Sequence, residues 1–135
     1  MTNKFGIILV KPQLGENIGA CARSMKNFGF SKLHIVSPKI NFPNPKVKAT
    51  SVGAYNIIKN AKVFNETCKA IDNFDIIISL SARRRDINKK HISLNDFGNL
   101  VKKNRNFNIG LMFGPEASGL SNEDISFSNY ILQIP

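Results

Sequence analysis

Tryptophan is absent from this chain, and its 135 residues include only two tyrosines, two histidines and two cysteines. Cys21 and Cys68 form no C-x-x-C pair, and neither stands at ligand spacing from His34 or His91. A disulfide framework and a Cys/His metal centre are therefore not expected, and two lone thiols fit a reducing, cytoplasmic setting. Acidic residues are also scarce, nine against nineteen lysines and arginines. No paired-carboxylate or Ser/His/Asp arrangement emerges, so hydrolysis has no visible machinery. Long apolar runs are missing as well. The best are residues 7–10 and 76–78, far short of the roughly 18–20 that a membrane span needs. The opening Met1-Thr2-Asn3-Lys4-Phe5 has no apolar core of a signal peptide.

What is present describes one globular domain over residues 1–135. Hydrophobic residues make up 42% and charged residues 21%, a balance that excludes disorder, collagen and coiled coil as the main description. The formal net charge is +10, which points to a polyanionic partner, nucleic acid first. Composition offers a blander source for this charge. Ile, Asn and Lys occur 17, 17 and 14 times, and their codons can be written almost entirely with A and T. Arginine is the better probe because it is scarce. Of five arginines, three are consecutive: Arg83, Arg84 and Arg85. Clustering of the rarer, bidentate cation is harder to ascribe to codon drift.

Hydrophobic periodicity alternates between strand and helix along the whole chain. Strands are expected at 5–11, 33–36, 61–64, 75–80, 107–113 and 130–134. Helices are expected at 16–28, around 46–53, at 66–71, at 93–103 and from Ser121 through an S-x-x-D capping pattern. In the first helix Ile18, Cys21, Ala22, Met25 and Phe28 form one apolar stripe, and Gly29 supplies the stop. The run Ile76-Ile77-Ile78 is apolar toward both faces, as a central parallel strand requires. The reading is an α/β domain with a mainly parallel, doubly wound sheet.

Ligands of such sheets bind beyond the carboxyl ends of the strands. Three loops follow strands there: 11–19, 79–85 and 114–121. The first is neither G-x-G-x-x-G nor a P-loop, which disfavours a dinucleotide or ATP site. Asn17 suits an N-cap and also a site role. Arg23 lies about 140° around the helix from Ile18, off the apolar stripe. Gly19, Ala20, Lys26 and Asn27 share its side, so another surface can approach closely; a solvated arginine is the plain alternative. Arg83–Arg85 follow the most buried strand and suit phosphate contact through charge. The loop 114–120 combines two glycines, a proline and the lone Glu116, which lets backbone groups meet a ligand edge.

These loops, in this order, resemble the motifs of the SPOUT superfamily of RNA methyltransferases, and more narrowly the SpoU/TrmH branch with its TrmJ-like members. The resemblance rests on N-I-G-A-x-A-R from Asn17 to Arg23, on F-G-P-E-x-x-G-L-S from Phe113 to Ser121, and on S-A-R-x-R from Ser81 to Arg85 between them. It implies a Rossmann-like α/β fold of the knotted type, a homodimer, S-adenosyl-L-methionine (AdoMet) as methyl donor and 2′-O-methylation of tRNA in the anticodon loop. It further implies that Arg23 activates the ribose 2′-hydroxyl and that Asn17 helps build that site. AdoMet would be touched by Leu80, Ser81, Ala82, Gly114 and Ile134, with Glu116 in the same pocket, and Arg83, Arg84 and Arg85 would meet RNA. No metal is implied.

Two positions depart from the family pattern, which usually has Thr at Leu80 and often a basic residue at Ala117. Beyond Pro135 the family continues into an S-L-N-L motif and a long helix, which complete the AdoMet pocket, thread the knot and supply much of the dimer interface. The expectation is therefore a methyltransferase domain whose knot segment is missing, binding AdoMet weakly or not at all and marginally stable or aggregation-prone. The alternative is an inactive remnant that keeps a basic RNA-binding surface.

Overall fold

A computed structural model of the chain describes residues 4–42, 44–81 and 88–133. Seven strands form one sheet: β1 (Phe5–Val10), β2 (Lys32–Val36), β3 (Lys62–Phe64), β4 (Ile76–Ser81), β5 (Lys90–Ile92), β6 (Ile109–Phe113) and β7 (Tyr130–Gln133). Their order is β3-β2-β1-β6-β4-β7-β5, and every pairing is parallel. Six helices connect them: α1 (Gly15–Asn27), α2 (Pro45–Ser51), α3 (Tyr55–Lys59), α4 (Thr67–Ala70), α5 (Leu94–Lys103) and α6 (Asn122–Ser126).

The alternation of β-strand side chains sorts the core. Ile7, Leu33 and Ile35 face α1, α2 and α3. On the same side, Ile76, Ile78, Ile109 and Leu132 meet Phe97, Leu100 and Val101 of α5. Ile8, Val10, Ile77, Met112 and Ile131 point the other way, toward Ala70 of α4 and Ile125 of α6. Strands covered on both faces explain the continuous apolar runs.

The expected α/β architecture is present, with two additions and small shifts at boundaries. The helix α3 and the edge strand β5 were not expected from the sequence; both are short, and β5 has only Ile92 buried. β1 stops at Val10 because Lys11 turns to a φ of 51°. The stop at Gly29 is a Schellman motif. Gly29 takes a φ of 78°, its N–H donates to the Lys26 carbonyl, and the Phe30 N–H donates to the Met25 carbonyl. Ser121 caps α6 as its S-x-x-D pattern predicts, accepting from the Asp124 N–H at 3.1 Å.

Candidate functional site at the carboxyl edge of the sheet

The parallel register collects the sequence motifs along one edge. Ser79 of β4 is paired with Met112 of β6. Beyond that pair β4 continues to Ser81 and β6 to Phe113, with Gly114 next in the chain. On the other side of β4, Leu80 pairs with Leu132 and Ser81 with Gln133. Leu80, Ser81 and Gly114, three of the residues singled out for a cofactor, thus sit on neighbouring strand ends. Ala82, Arg83, Arg84, Arg85 and Ile134 lie outside the described residues.

Gly114 is fixed there by a close approach. A Cβ on it would come within 2.2 Å of the Leu120 nitrogen and 2.3 Å of the Gly119 carbonyl carbon. The loop 114–120 folds back onto its own start, and the Gly119 N–H donates to the Pro115 carbonyl at 2.8 Å. The bend delivers Glu116 to the amino end of α1.

There the structure corrects one expectation. The cap position of α1 belongs to Leu14, whose side chain makes no capping bond. Asn17 lies inside the first turn, and its amide donates to Glu116 Oε2 at 3.0 Å. The Gln13 N–H donates to Glu116 Oε1 at 2.8 Å and the Leu14 N–H to Oε2 at 3.3 Å. Glu116 therefore serves as a cap supplied from 99 residues away in sequence, placing a carboxylate at the positive end of the helix. In return, the Ala117 N–H donates to Gln13 Oε1 at 3.0 Å. Burial by itself would push the Glu116 carboxyl upward. The bonds from Asn17, from the Gln13 N–H, from its own N–H and from the Leu14 N–H outweigh that and hold it below the usual carboxylate range.

A cavity of about 410 Å³ opens beside this clasp. Leu9, Pro12, Ile18, Cys21, Phe113 and Gly114 give it a largely apolar wall, with Asn17 and Glu116 at the rim. Cys21, expected in the core, is only half-buried and lines the cavity. Burial pushes its thiol up to about 11, so it is protonated at neutral pH and no nucleophile. Gln13 is the member of the clasp that the sequence did not single out; its only signal is a polar side chain in the same loop as Asn17.

Arg23 is exposed on α1, with no hydrogen bond or ion pair to a described residue. Its guanidinium is thus available to a ligand. The surface expected to approach the small residues near it is partly the chain's own. Gly19 is buried beneath α2, where a Cβ would meet Thr50 Oγ1 at 1.9 Å, whereas Ala20 and Ser24 border the cavity. Among the described residues no group of three or more His, Cys, Asp or Glu could hold a metal ion. No described helix is long and apolar enough to cross a membrane.

The chain is similar to known proteins in sequence and fold. The tRNA (cytidine-2′-O-)-methyltransferase TrmJ of Methanocaldococcus jannaschii is 35% identical over 132 residues, a match covering 96% of this chain and 56% of the relative. The crystal structure of TrmJ from Z. mobilis ZM4 superposes with a TM-score of 0.89 at 33% identity, covering 96% of this chain and 58% of that one. The SpoU methyltransferase AviRb from Streptomyces viridochromogenes, solved in complex with the cofactor AdoMet, matches with a TM-score of 0.76 at 19% identity, over all of this chain and 52% of that one. This last likeness is one of fold. The chain spans about half the length of the curated relatives it matches. The profile of the SpoU rRNA Methylase family matches residues 4–135. With its all-parallel sheet and the Asn17–Arg23 and Phe113–Ser121 motifs joined at one edge, this chain belongs to the SpoU rRNA Methylase family.

Proposed function

We propose that residues 1–135 form a methyltransferase domain that uses AdoMet to methylate a ribose 2′-hydroxyl of RNA, with tRNA as substrate. The observation that carries this reading is the clasp between Asn17 and Glu116, which ties the arginine-bearing helix to the glycine loop at the carboxyl edge. The names of the TrmJ relatives support tRNA as the substrate class. In this reading the protein works in the cytoplasm as a homodimer. Its two free thiols suit that compartment.

The residues present fit AdoMet. Gly114 lines a mostly apolar cavity, and Leu80 and Ser81 stand at the end of the adjoining strand. Leu80, Ser81, Ala82, Gly114 and Ile134 would hold it, with Glu116 fixing the loop. Bound AdoMet supplies an electrophilic methyl group on a sulfonium. The chain's own task is to position the ribose oxygen in line with that group and to assist loss of its proton. A guanidinium stays protonated at neutral pH, so Arg23 acts by donating hydrogen bonds to the 2′-oxygen as negative charge develops there. Asn17, held by Glu116, orients the start of the same helix. Arg83, Arg84 and Arg85 contribute phosphate contacts.

Transfer of labelled methyl from AdoMet to tRNA, with the product ribose identified by mass spectrometry, tests this. The assay is run on this chain and on a chimera extended by the S-L-N-L segment and final helix of a TrmJ relative. Arg23→Ala should lower kcat by about a hundredfold or more, while AdoMet affinity and melting temperature stay near the parent values because Arg23 is exposed. Undiminished transfer by Arg23→Ala, or methyl found on a base instead of a ribose, would overturn the reading.

A further inference from the structure

A second cavity, of about 540 Å³, lies at the opposite edge of the sheet. It is lined by Lys32, the first residue of β2, by Lys62, the first residue of β3, and by His34, Asn60, Asn73 and Asn108. His34 is registered beside Lys62 in the parallel pair, and Lys32 stands two residues earlier in the same strand. Strand alternation sends all three side chains to one face of the sheet. The grouping therefore follows from the register and is not a scatter of surface lysines.

The site is built around a buried polar ring. His34 is only 3% exposed. Its Nδ1 lies 2.7 Å from the Ala70 carbonyl oxygen, an acceptor only, so Nδ1 carries the hydrogen and donates it. Phe64 and Phe74 pack on the ring, with centroids 4.9 and 5.4 Å away. Among the described residues Nε2 has no hydrogen-bond partner. Burial holds the imidazole below the usual histidine range; the Ala70 bond opposes this, and the charges of Lys62 and then Lys32 add to it. The Lys32 ammonium sits 5.3 Å from the centre of the Phe74 ring. Neither lysine forms an ion pair with a described residue. Asp75, the adjacent carboxylate, is turned to accept from the Asn108 N–H at 2.7 Å. Two lysines without an ion-pair partner among the described residues, three amides able to donate and a buried imidazole whose Nε2 is left as an acceptor line one cavity, and a partly protonated oxyanion meets all of them.

We propose that this cavity is a phosphate-binding site, in which Lys32 and Lys62 neutralise a phosphate group and the amides of Asn60, Asn73 and Asn108 donate to its oxygens above the His34 ring. A protonated phosphate oxygen donates in turn to Nε2. The β2 strand separates this cavity from the carboxyl edge by roughly 15 Å, so the phosphate is not the one next to the ribose bound at the other edge. It belongs either to a distant backbone phosphate of a bound RNA or to a free phosphate-bearing ligand. The site stands whether or not the methyl-transfer reading is correct.

Heteronuclear NMR of the full chain, titrated with sodium phosphate against chloride at constant ionic strength, tests this. A saturable shift of the His34 ring signals is expected, distinguished from His91 by the His91→Gln variant. The double variant Lys32→Gln/Lys62→Gln should weaken phosphate binding by about tenfold or more. Lys102→Gln/Lys103→Gln, with the same charge loss at the end of α5, should not. Absence of a saturable His34 shift, or equal weakening in both double variants, would overturn the site. A parallel tRNA titration distinguishes the sources. Loss of tRNA affinity specific to the Lys32/Lys62 variant assigns the site to RNA backbone; unchanged tRNA affinity with phosphate binding lost assigns it to a free ligand. Should that variant unfold, the His34 titration of the parent chain decides alone.

Discussion

Two helices lie on the same face of the sheet and meet different fates. α1 buries Ile18, Ala22 and Met25. α5 separates its apolar and polar residues at least as cleanly, yet none of its residues is fully buried and Leu94 remains 62% exposed. The contrast arises from what flanks each helix. α1 lies over the middle of the sheet, between Ile7, Leu33 and Ile35 below and Val47 of α2 and Ile57 and Ile58 of α3 alongside. α5 rests on Ile76, Ile78, Ile92 and Leu132 near the sheet edge, and no residue of another described helix joins that cluster. An amphipathic stripe says which side a helix would bury; the neighbours determine how much of it is buried.

Substitutions can break this contrast, beginning with the largest effect. Ile18→Ala removes a fully buried side chain from a site walled on several sides, and a loss of about 2–5 kcal/mol is expected from chemical denaturation. Gly19→Ala should cost about 1–3 kcal/mol, because the added methyl has Thr50 Oγ1 and the Ser51 nitrogen in its way. Thr50→Ala in the same chain should restore only part of that, since the backbone contact remains. Leu100→Ala on α5 should cost roughly 1 kcal/mol, its side chain being only partly buried. If Leu100→Ala proved as costly as Ile18→Ala, the two helices would be equally anchored and the comparison would fail.

The smallest effect sharpens the same comparison, because α1 is also the helix capped from a distance. The carboxyl of Glu116 is held below its usual range in the folded protein. The stability this contributes is present above the unfolded carboxylate pKa of roughly 4.3 and is lost as the pH falls through the lower folded value. Glu116→Gln should therefore melt slightly below the parent at neutral pH, by a fraction of a kcal/mol at this exposed position. The gap should close under acid. A gap that persisted unchanged well below the carboxylate range would mean that packing, not charge, anchors the loop.

Much of the fold was legible in the chain. The β-branched runs at Ile7-Ile8 and Ile76–Ile78 announced buried parallel strands, and Gly29 announced its Schellman turn, because these depend on residues a few positions apart. α3 and β5 escaped notice for the opposite reason. Tyr55–Lys59 has no side-chain cap, and Lys90–Ile92 is three residues long with polar neighbours. Both exist because neighbouring elements hold them, Ile57 and Ile58 against the α1 cluster and Ile92 against Leu132 in the paired strand.

The site divides along the same line. The composition and order of the three loops, with Asn17, Gly114 and Glu116, and Arg23 on the helix that follows the first strand, could be read directly, since parallel strands send their outgoing loops to one edge. The Asn17–Glu116 bond, the helix cap it provides and the grouping of Lys32, His34 and Lys62 could not. Each depends on strand order and register, which bring together residues 99 apart in one case and on neighbouring strands in the other. Local pattern determined which residues form strands, helices and turns, because propensity and periodicity act over a few residues. Which side chains share a site was decided by the closing of the sheet, because a hydrogen bond or a matched charge acts only across a few ångströms of space.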